Sequence, residues 1–182
     1  MTEGQKIEEP KTGNGALSIK KGIDDDFARI VERVSRGMTG VAQGTGRTEA
    51  ITDVVKSALD GCLAVGGNLV LGAKAIVVGV LRGAGEMEEA GLKTLSNTAR
   101  TLIRRVDSAS GDVAAAAKGL VLGAIASAKV LKVELAKSAS AAAQGALEGA
   151  EEAGSVASDK VRRALMESIG GIKIVLPGSL SR

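Results

Sequence analysis

The sequence predicts an all-α protein. Its elongated amphipathic helices are expected to pack through Gly and Ala and to assemble as an oligomeric helical bundle behind a disordered N-terminal arm. Three observations carry this reading. Apolar residues recur at spacings of three and four, the period of one helix face, as in Leu92, Leu95, Ala99, Leu102, Ile103 and Val106. Small residues dominate: 29 Ala and 25 Gly among 182 residues, against one Phe and no Tyr or Trp. Residues 112–168 are Ala-rich and free of proline, and Ala is the strongest helix former. A core without aromatic bulk must bring helix backbones close together.

Residues 1–22 are polar and interrupted by Pro10, Gly13 and Gly15, which predicts the disordered arm. Residues 23–47 read as a short amphipathic helix over 24–38 followed by a Gly-rich hinge. Asp24, Asp25 and Asp26 suit the positive end of a helix dipole. Phe27, Ile30, Val31, Val34 and Met38 form the apolar stripe, and Gly37 and Gly40 signal a stop. The hinge, Gly40-Val41-Ala42-Gln43-Gly44-Thr45-Gly46-Arg47, invites comparison with a phosphate-binding loop. That loop requires four residues between its glycines and then Lys-Ser/Thr, after a strand. Here five residues separate Gly40 from Gly46, Arg47 stands where Lys is needed, and a helix precedes. Thr45 or Thr48 is instead expected to cap the next helix.

Residues 48–168 form a long helical Gly/Ala-rich region with two apolar segments, 61–81 and 113–135. The first is long enough to cross a bilayer as a helix. Five of its positions are glycines, however, and Lys74 near its centre costs about 2.5–3.5 kcal/mol on an insertion scale. Between the segments, residues 83–110 give the clearest helix. Glu86, Glu88 and Glu89 come early and Arg100, Arg104 and Arg105 late, the order a helix dipole favours. A break follows over 107–111, with Ser110 as N-cap and Asp112 in the first turn. One long helix is then expected over 112–168, interrupted near Gly145–Gly154. Residues 169–182 form a short docking tail. Its β-branched stretch Gly171–Pro177 predicts a small strand or a peptide that binds a partner.

Two kinds of repetition stand out. Leu69-Val70-Leu71-Gly72-Ala73 recurs as Leu120-Val121-Leu122-Gly123-Ala124. Other echoes fall at multiples of eleven, as between Lys118 and Lys129. Eleven residues make three turns at about 3.67 per turn, so one face stays aligned along a straight rod. Three glycine pairs lie four apart: Gly79 and Gly83, Gly119 and Gly123, Gly145 and Gly149. Such pairs make flat grooves where helix backbones approach closely. Leu69, Val70, Leu71, Val80 and Leu81, with Leu120, Val121, Leu122, Val130 and Leu131, are the expected hydrophobic or assembly surface. Lys74, Lys118, Lys129 and Lys132 are expected at its interface, their stems on the apolar side and their ammonium groups in water.

Composition excludes much chemistry. There is no His, so the commonest general base is missing, as are serine–histidine nucleophiles and cysteine–histidine zinc sites. Glu86, Glu88, Glu89, Glu151 and Glu152 read as solvated helix faces. No catalysis, metal or cofactor is expected. Cys62 lies in an apolar run and reads as a small buried hydrophobe; a lone Cys makes no internal disulfide. The net charge is +3 and the sequence pI about 9.1. With no aromatic stacking platform and no dense basic run, nucleic acid is not an expected partner. The polar first residues show no secretory leader, so a cytoplasmic location, peripheral to a membrane or granule, is expected.

Over roughly residues 80–165, small residues alternate with Ala, Lys and Glu. This resembles phasins and other eleven-residue-repeat amphipathic coat proteins. The resemblance implies a non-catalytic coat on a storage granule or lipid surface; the apolar 61–81 segment departs from it. The expected function is that of a structural protein whose helices self-associate and bind a membrane, granule or other hydrophobic surface. The alternatives are an oligomeric scaffold or stalk, with another protein held by the arm or tail, and a small transmembrane hairpin.

Overall fold

The apolar stripes and small-residue faces fold into seven helices among the described residues. The computed structural model describes residues 13–39, 41, 46–64, 66–86 and 88–174. In order the helices are α1 (Gly13–Thr39), α2 (Arg47–Ala64), α3 (Leu69–Ala84), α4 (Glu88–Ser108), α5 (Val113–Leu131), α6 (Leu135–Ala153) and α7 (Ser155–Met166). The fold is all-α.

Packing sorts the helices into two layers. In one, α1 packs on α3, α3 on α5 and α5 on α7; in the other, α2 packs on α4 and α4 on α6. Consecutive helices join the layers. The pairs α1/α3, α3/α5 and α4/α6 run parallel, because their contacts advance together. Gly79 meets Val31 and Gly83 meets Ser35; Gly119 meets Val70 and Gly123 meets Lys74; Gly145 meets Ser96 and Gly149 meets Arg100. This is a short two-layer solenoid of helical hairpins. Between the layers lies the core, where Leu59, Ile76, Leu95, Leu102, Ile103, Leu120 and Leu165 are fully buried.

One turn design recurs between helices. After α2, Gly66 donates to the Leu63 carbonyl at 3.0 Å and Gly67 to the Cys62 carbonyl at 2.9 Å. After α4, Ser110 and Gly111 donate to Asp107 and Val106, both at 2.8 Å. After α5, Lys132 and Val133 donate to Lys129 and Ala128, at 3.3 and 3.1 Å. Each is a Schellman closure around one left-handed residue, Gly66, Ser110 or Lys132, and the next residue but one, Asn68, Asp112 or Glu134, is the N-cap of the following helix. Asn68 accepts from the Leu71 N–H, and Asp112 accepts from the Ala114 and Ala115 N–H groups. The expected cap at Ser110 is therefore corrected to Asp112. Lys132 has φ 54°, a conformation that a Cβ makes costly. Lys132→Gly is expected to stabilise the chain by about 1 kcal/mol, read as a shift in urea midpoint at constant slope.

Several expectations are corrected. α1 begins at Gly13, so residues 13–22 of the expected arm are helical; residues 1–12 lie outside the described residues. Gly37 falls inside α1, where it faces Val54 of α2. Thr48 lies within α2 and does not cap it, and Thr45 is outside the described residues. The apolar segment 61–81 is not one helix: α2 ends at Ala64, and α3 restarts after Asn68. The 16 residues of α3 rise about 24 Å, short of a hydrocarbon core of about 30 Å. Among the described residues one helix, α5, is long and apolar enough to cross a membrane, and 56% of its apolar window is buried inside the fold. The expected long helix over 112–168 breaks at Lys132–Glu134 and at Gly154, while Gly145 and Gly149 continue α6. No eleven-residue rod forms; helices α3 to α6 fold back on one another. The repeated pentapeptide is out of register, since Leu69 opens α3 half-exposed while Leu120 is buried in mid-α5.

The tail folds back onto its own chain. Ile169 and Ile172 exchange two backbone hydrogen bonds of 3.1 Å across Gly170 and Gly171. Both glycines have positive φ, 59° and 79°. Ile169 and Ile174 are buried in the core. Residues 175–182 lie outside the described residues.

Candidate functional site

The glycine pairs mark places where helix backbones lie in direct contact. A Cβ added at Gly79 would stand 2.9 Å from the Val31 carbonyl oxygen, at Gly123 2.9 Å from that of Lys74, and at Gly149 2.5 Å from that of Arg100. Gly119 and Gly145 press closer still on the carbonyls of Val70 and Ser96. These grooves are filled by the chain's own helices, so a contact between copies must use another surface.

The expected apolar surface divides. Val80, Leu81, Leu120, Val121 and Leu131 are buried in the core, because they face the other layer. Leu69, Val70, Leu71 and Leu122 are half-buried, and Val130 is 51% exposed. What remains outside is one strip on each of two parallel helices. On α3 it reads Leu71, Lys74, Val78, Arg82; on α5 it reads Lys118, Leu122, Ile125, Lys129. Neither helix carries a carboxylate. Three of the four expected interfacial lysines fall here. The fourth, Lys132, closes the end of α5 instead.

The cations of these strips differ in their surroundings. Lys74 Nζ stands 5.3 Å from the centroid of the Phe27 ring on α1, a cation–π contact. Lys118 pairs with Glu167 at 2.6 Å. Arg82 and Lys129 are exposed and make no ion pair among the described residues. Gly170 lies against Ile125 and Leu122, so the folded tail covers part of the α5 strip. Beside α3, a shallow groove of about 850 Å³ runs along α1 past Phe27 and Val31, with Arg29, Arg33, Arg36, Arg82 and the carboxylate of Glu32 around it. Arg29 pairs with Asp26 at 3.2 Å and Arg36 with Glu32 at 2.8 Å.

The edge of the second layer is laced with ion pairs. Along α6, Glu148, Glu151 and Glu152 stand with Lys137, and Glu151 pairs with Arg162 of α7 at 3.4 Å. Glu152 takes Arg100 and Arg104 of α4, the latter at 3.3 Å. The pairs strap α4 to α6 over the glycine contact.

Two further polar clusters fasten α2. At its start, Arg47 Nη2 forms an ion pair with Glu86 Oε1 at 3.0 Å and donates to the Ala84 carbonyl at 3.2 Å. Thr94 Oγ1 donates to the other Glu86 oxygen. Near its end, Asp60 Oδ1 accepts from Arg105 Nε at 2.8 Å. That hydrogen bond, with the guanidinium charge behind it, holds the Asp60 carboxyl below its ordinary range. A carboxyl depressed in the folded state stabilises the fold above its unfolded pKa and stops doing so as pH falls through the folded one. Wild type is therefore expected to lose more stability than Asp60→Asn between about pH 5 and about pH 2, measured by urea unfolding at each pH. Sequence reading missed Arg47 in this role because it sits in a glycine-rich loop that looks like something else.

A second cleft, of about 520 Å³, opens where α1, α2 and the start of α3 meet. Cys62 lines it and is 7% exposed; burial pushes its thiol up, against the pull of the Arg33 charge. Among the described residues no group of three or more His, Cys, Asp or Glu is placed to hold a metal ion. Comparison of the chain with protein-family models, with curated proteins and with solved structures yields no match.

Proposed function

We propose that this chain is a non-catalytic structural protein that docks on an anionic lipid surface through the outer faces of α3 and α5. One observation carries the reading: α3 and α5 present Lys74, Arg82, Lys118 and Lys129, interleaved with half-buried Leu71, Val78, Leu122 and Ile125, and hold no carboxylate. Each basic residue near an anionic membrane contributes about 1 kcal/mol. The interleaved apolar side chains add shallow burial at the interface.

Vesicle flotation tests this. The wild type is expected to float with phosphatidylglycerol vesicles at low salt and not with neutral phosphatidylcholine vesicles. Arg82→Glu/Lys129→Glu is expected to bind at least about tenfold more weakly. Both residues are exposed, so the variant folds. Equal flotation of variant and wild type contradicts the reading. So does tighter binding to a short nucleic acid duplex than to vesicles.

A second reading, an oligomeric scaffold, is supported by α7. This helix ends the first layer, and Val156 and Met166 on it are 68% and 61% exposed. Self-association through these residues predicts an oligomer in light scattering that Val156→Glu/Met166→Glu reduces to monomer.

A further inference from the structure

We propose that the cleft between α1, α2 and α3 binds an amphiphilic monoanion, an alkyl chain ending in a carboxylate. The walls are apolar: Ile30 from α1, Ala58 and Cys62 from α2, Leu71 from α3. Gly61, Gly67 and Gly72 leave them without side chains at three points. At Gly72 a Cβ would stand 3.3 Å from Cys62 Sγ, so the missing side chain keeps the thiol wall open. The volume of about 520 Å³ lies within the range of small-molecule sites.

Charge selects the head group. Arg29 and Arg33 both line the cleft, together with Asp26. Asp26 pairs with Arg29 at 3.2 Å, and the two neutralise each other. Arg33 makes no ion pair among the described residues. Its guanidinium reaches to 4.0 Å from where a Gly61 Cβ would be, and its charge acts on the Cys62 thiol. Asn68 also lines the cleft, but its side-chain oxygen is committed to the Leu71 N–H at 3.2 Å. One unpaired guanidinium over apolar walls matches one carboxylate on an apolar chain, held by the planar fork of the arginine.

The cleft shares Leu71 with the α3 strip and Arg29 and Arg33 with the groove along α1, so its test uses a soluble ligand without vesicles, and its failure leaves the flotation result standing. The test is isothermal titration of the full chain with decanoate below its micellar concentration, beside decanol. Alkylation of Cys62 by iodoacetamide is followed in parallel. The expected result is decanoate binding at least tenfold tighter than decanol, with slowed alkylation. Arg33→Gln should lower decanoate affinity to that of decanol without changing the urea midpoint. Ala58→Phe, which fills the cleft, should abolish binding of both, its folding checked by circular dichroism. Equal affinity for decanoate and decanol, decanoate binding unchanged in Arg33→Gln, or no heat and no protection in the wild type, would each overturn the proposal.

Discussion

Gly145→Ala is expected to destabilise the protein by about 2 kcal/mol, although alanine is the better helix former. In an open helix the exchange gains about 1 kcal/mol. Here the new methyl points at the Ser96 carbonyl of α4. A carbonyl in a helix backbone has no rotamer to escape into, so α6 and α4 must move apart. Overpacking of this kind costs about 1–3 kcal/mol and opens gaps elsewhere along the contact. Gly22→Ala is the control. A Cβ at Gly22 meets nothing within 4 Å, and the variant is expected to gain about 0.5–1 kcal/mol. Urea unfolding of both variants checks the pair. A neutral or stabilising Gly145→Ala would mean that α4 and α6 are not in backbone contact.

Arg47→Ala is expected to cost about 2–3 kcal/mol. Breaking a fully buried ion pair costs about 3–5 kcal/mol because the surviving charge is stranded. The side chains of Arg47 and Glu86 are 12% and 18% exposed, so water softens the loss without removing it. The variant also frees the Ala84 carbonyl at the end of α3. Glu86→Gln added to Arg47→Ala is expected to recover part of the loss. The double-mutant cycle isolates this coupling, and a coupling of zero would show that the two groups do not meet.

Different elements of the fold were legible to different degrees. The stripe Leu95, Ala99, Leu102, Ile103 and Val106 was readable because α4 buries one face and solvates the other. Helix α5 offered no such contrast: with Ala, Val and Leu all round, its period is weak and its end invisible. That end rests on Lys132 in a left-handed conformation, and nothing about a lysine announces it. The end of α4 was legible in the break over 107–111, since α4 stops at Ser108, and only the cap differed, Asp112 in place of Ser110. The glycine pairs were visible as helix-packing sites, but sequence does not distinguish a groove filled by the same chain from one filled by a copy. The absence of carboxylates from α3 and α5 could have been read directly. Its meaning needed the parallel layer, which sets two strips fifty residues apart in sequence side by side. The cleft at Cys62 could not be read, since it is assembled from three helices and a turn.

Depth-sensitive fluorescence on vesicles tests the central claim, docking through one face of a closed fold, most directly. In a Cys62→Ser background, an environment-sensitive probe is attached through Ala126→Cys, on the outer face of α5, or through Gln144→Cys, on α6. Both positions are exposed. With anionic vesicles, the probe at 126 is predicted to shift to the blue while the probe at 144 stays unchanged. A shift at 144 equal to that at 126, or no shift at 126, would contradict docking through the basic layer.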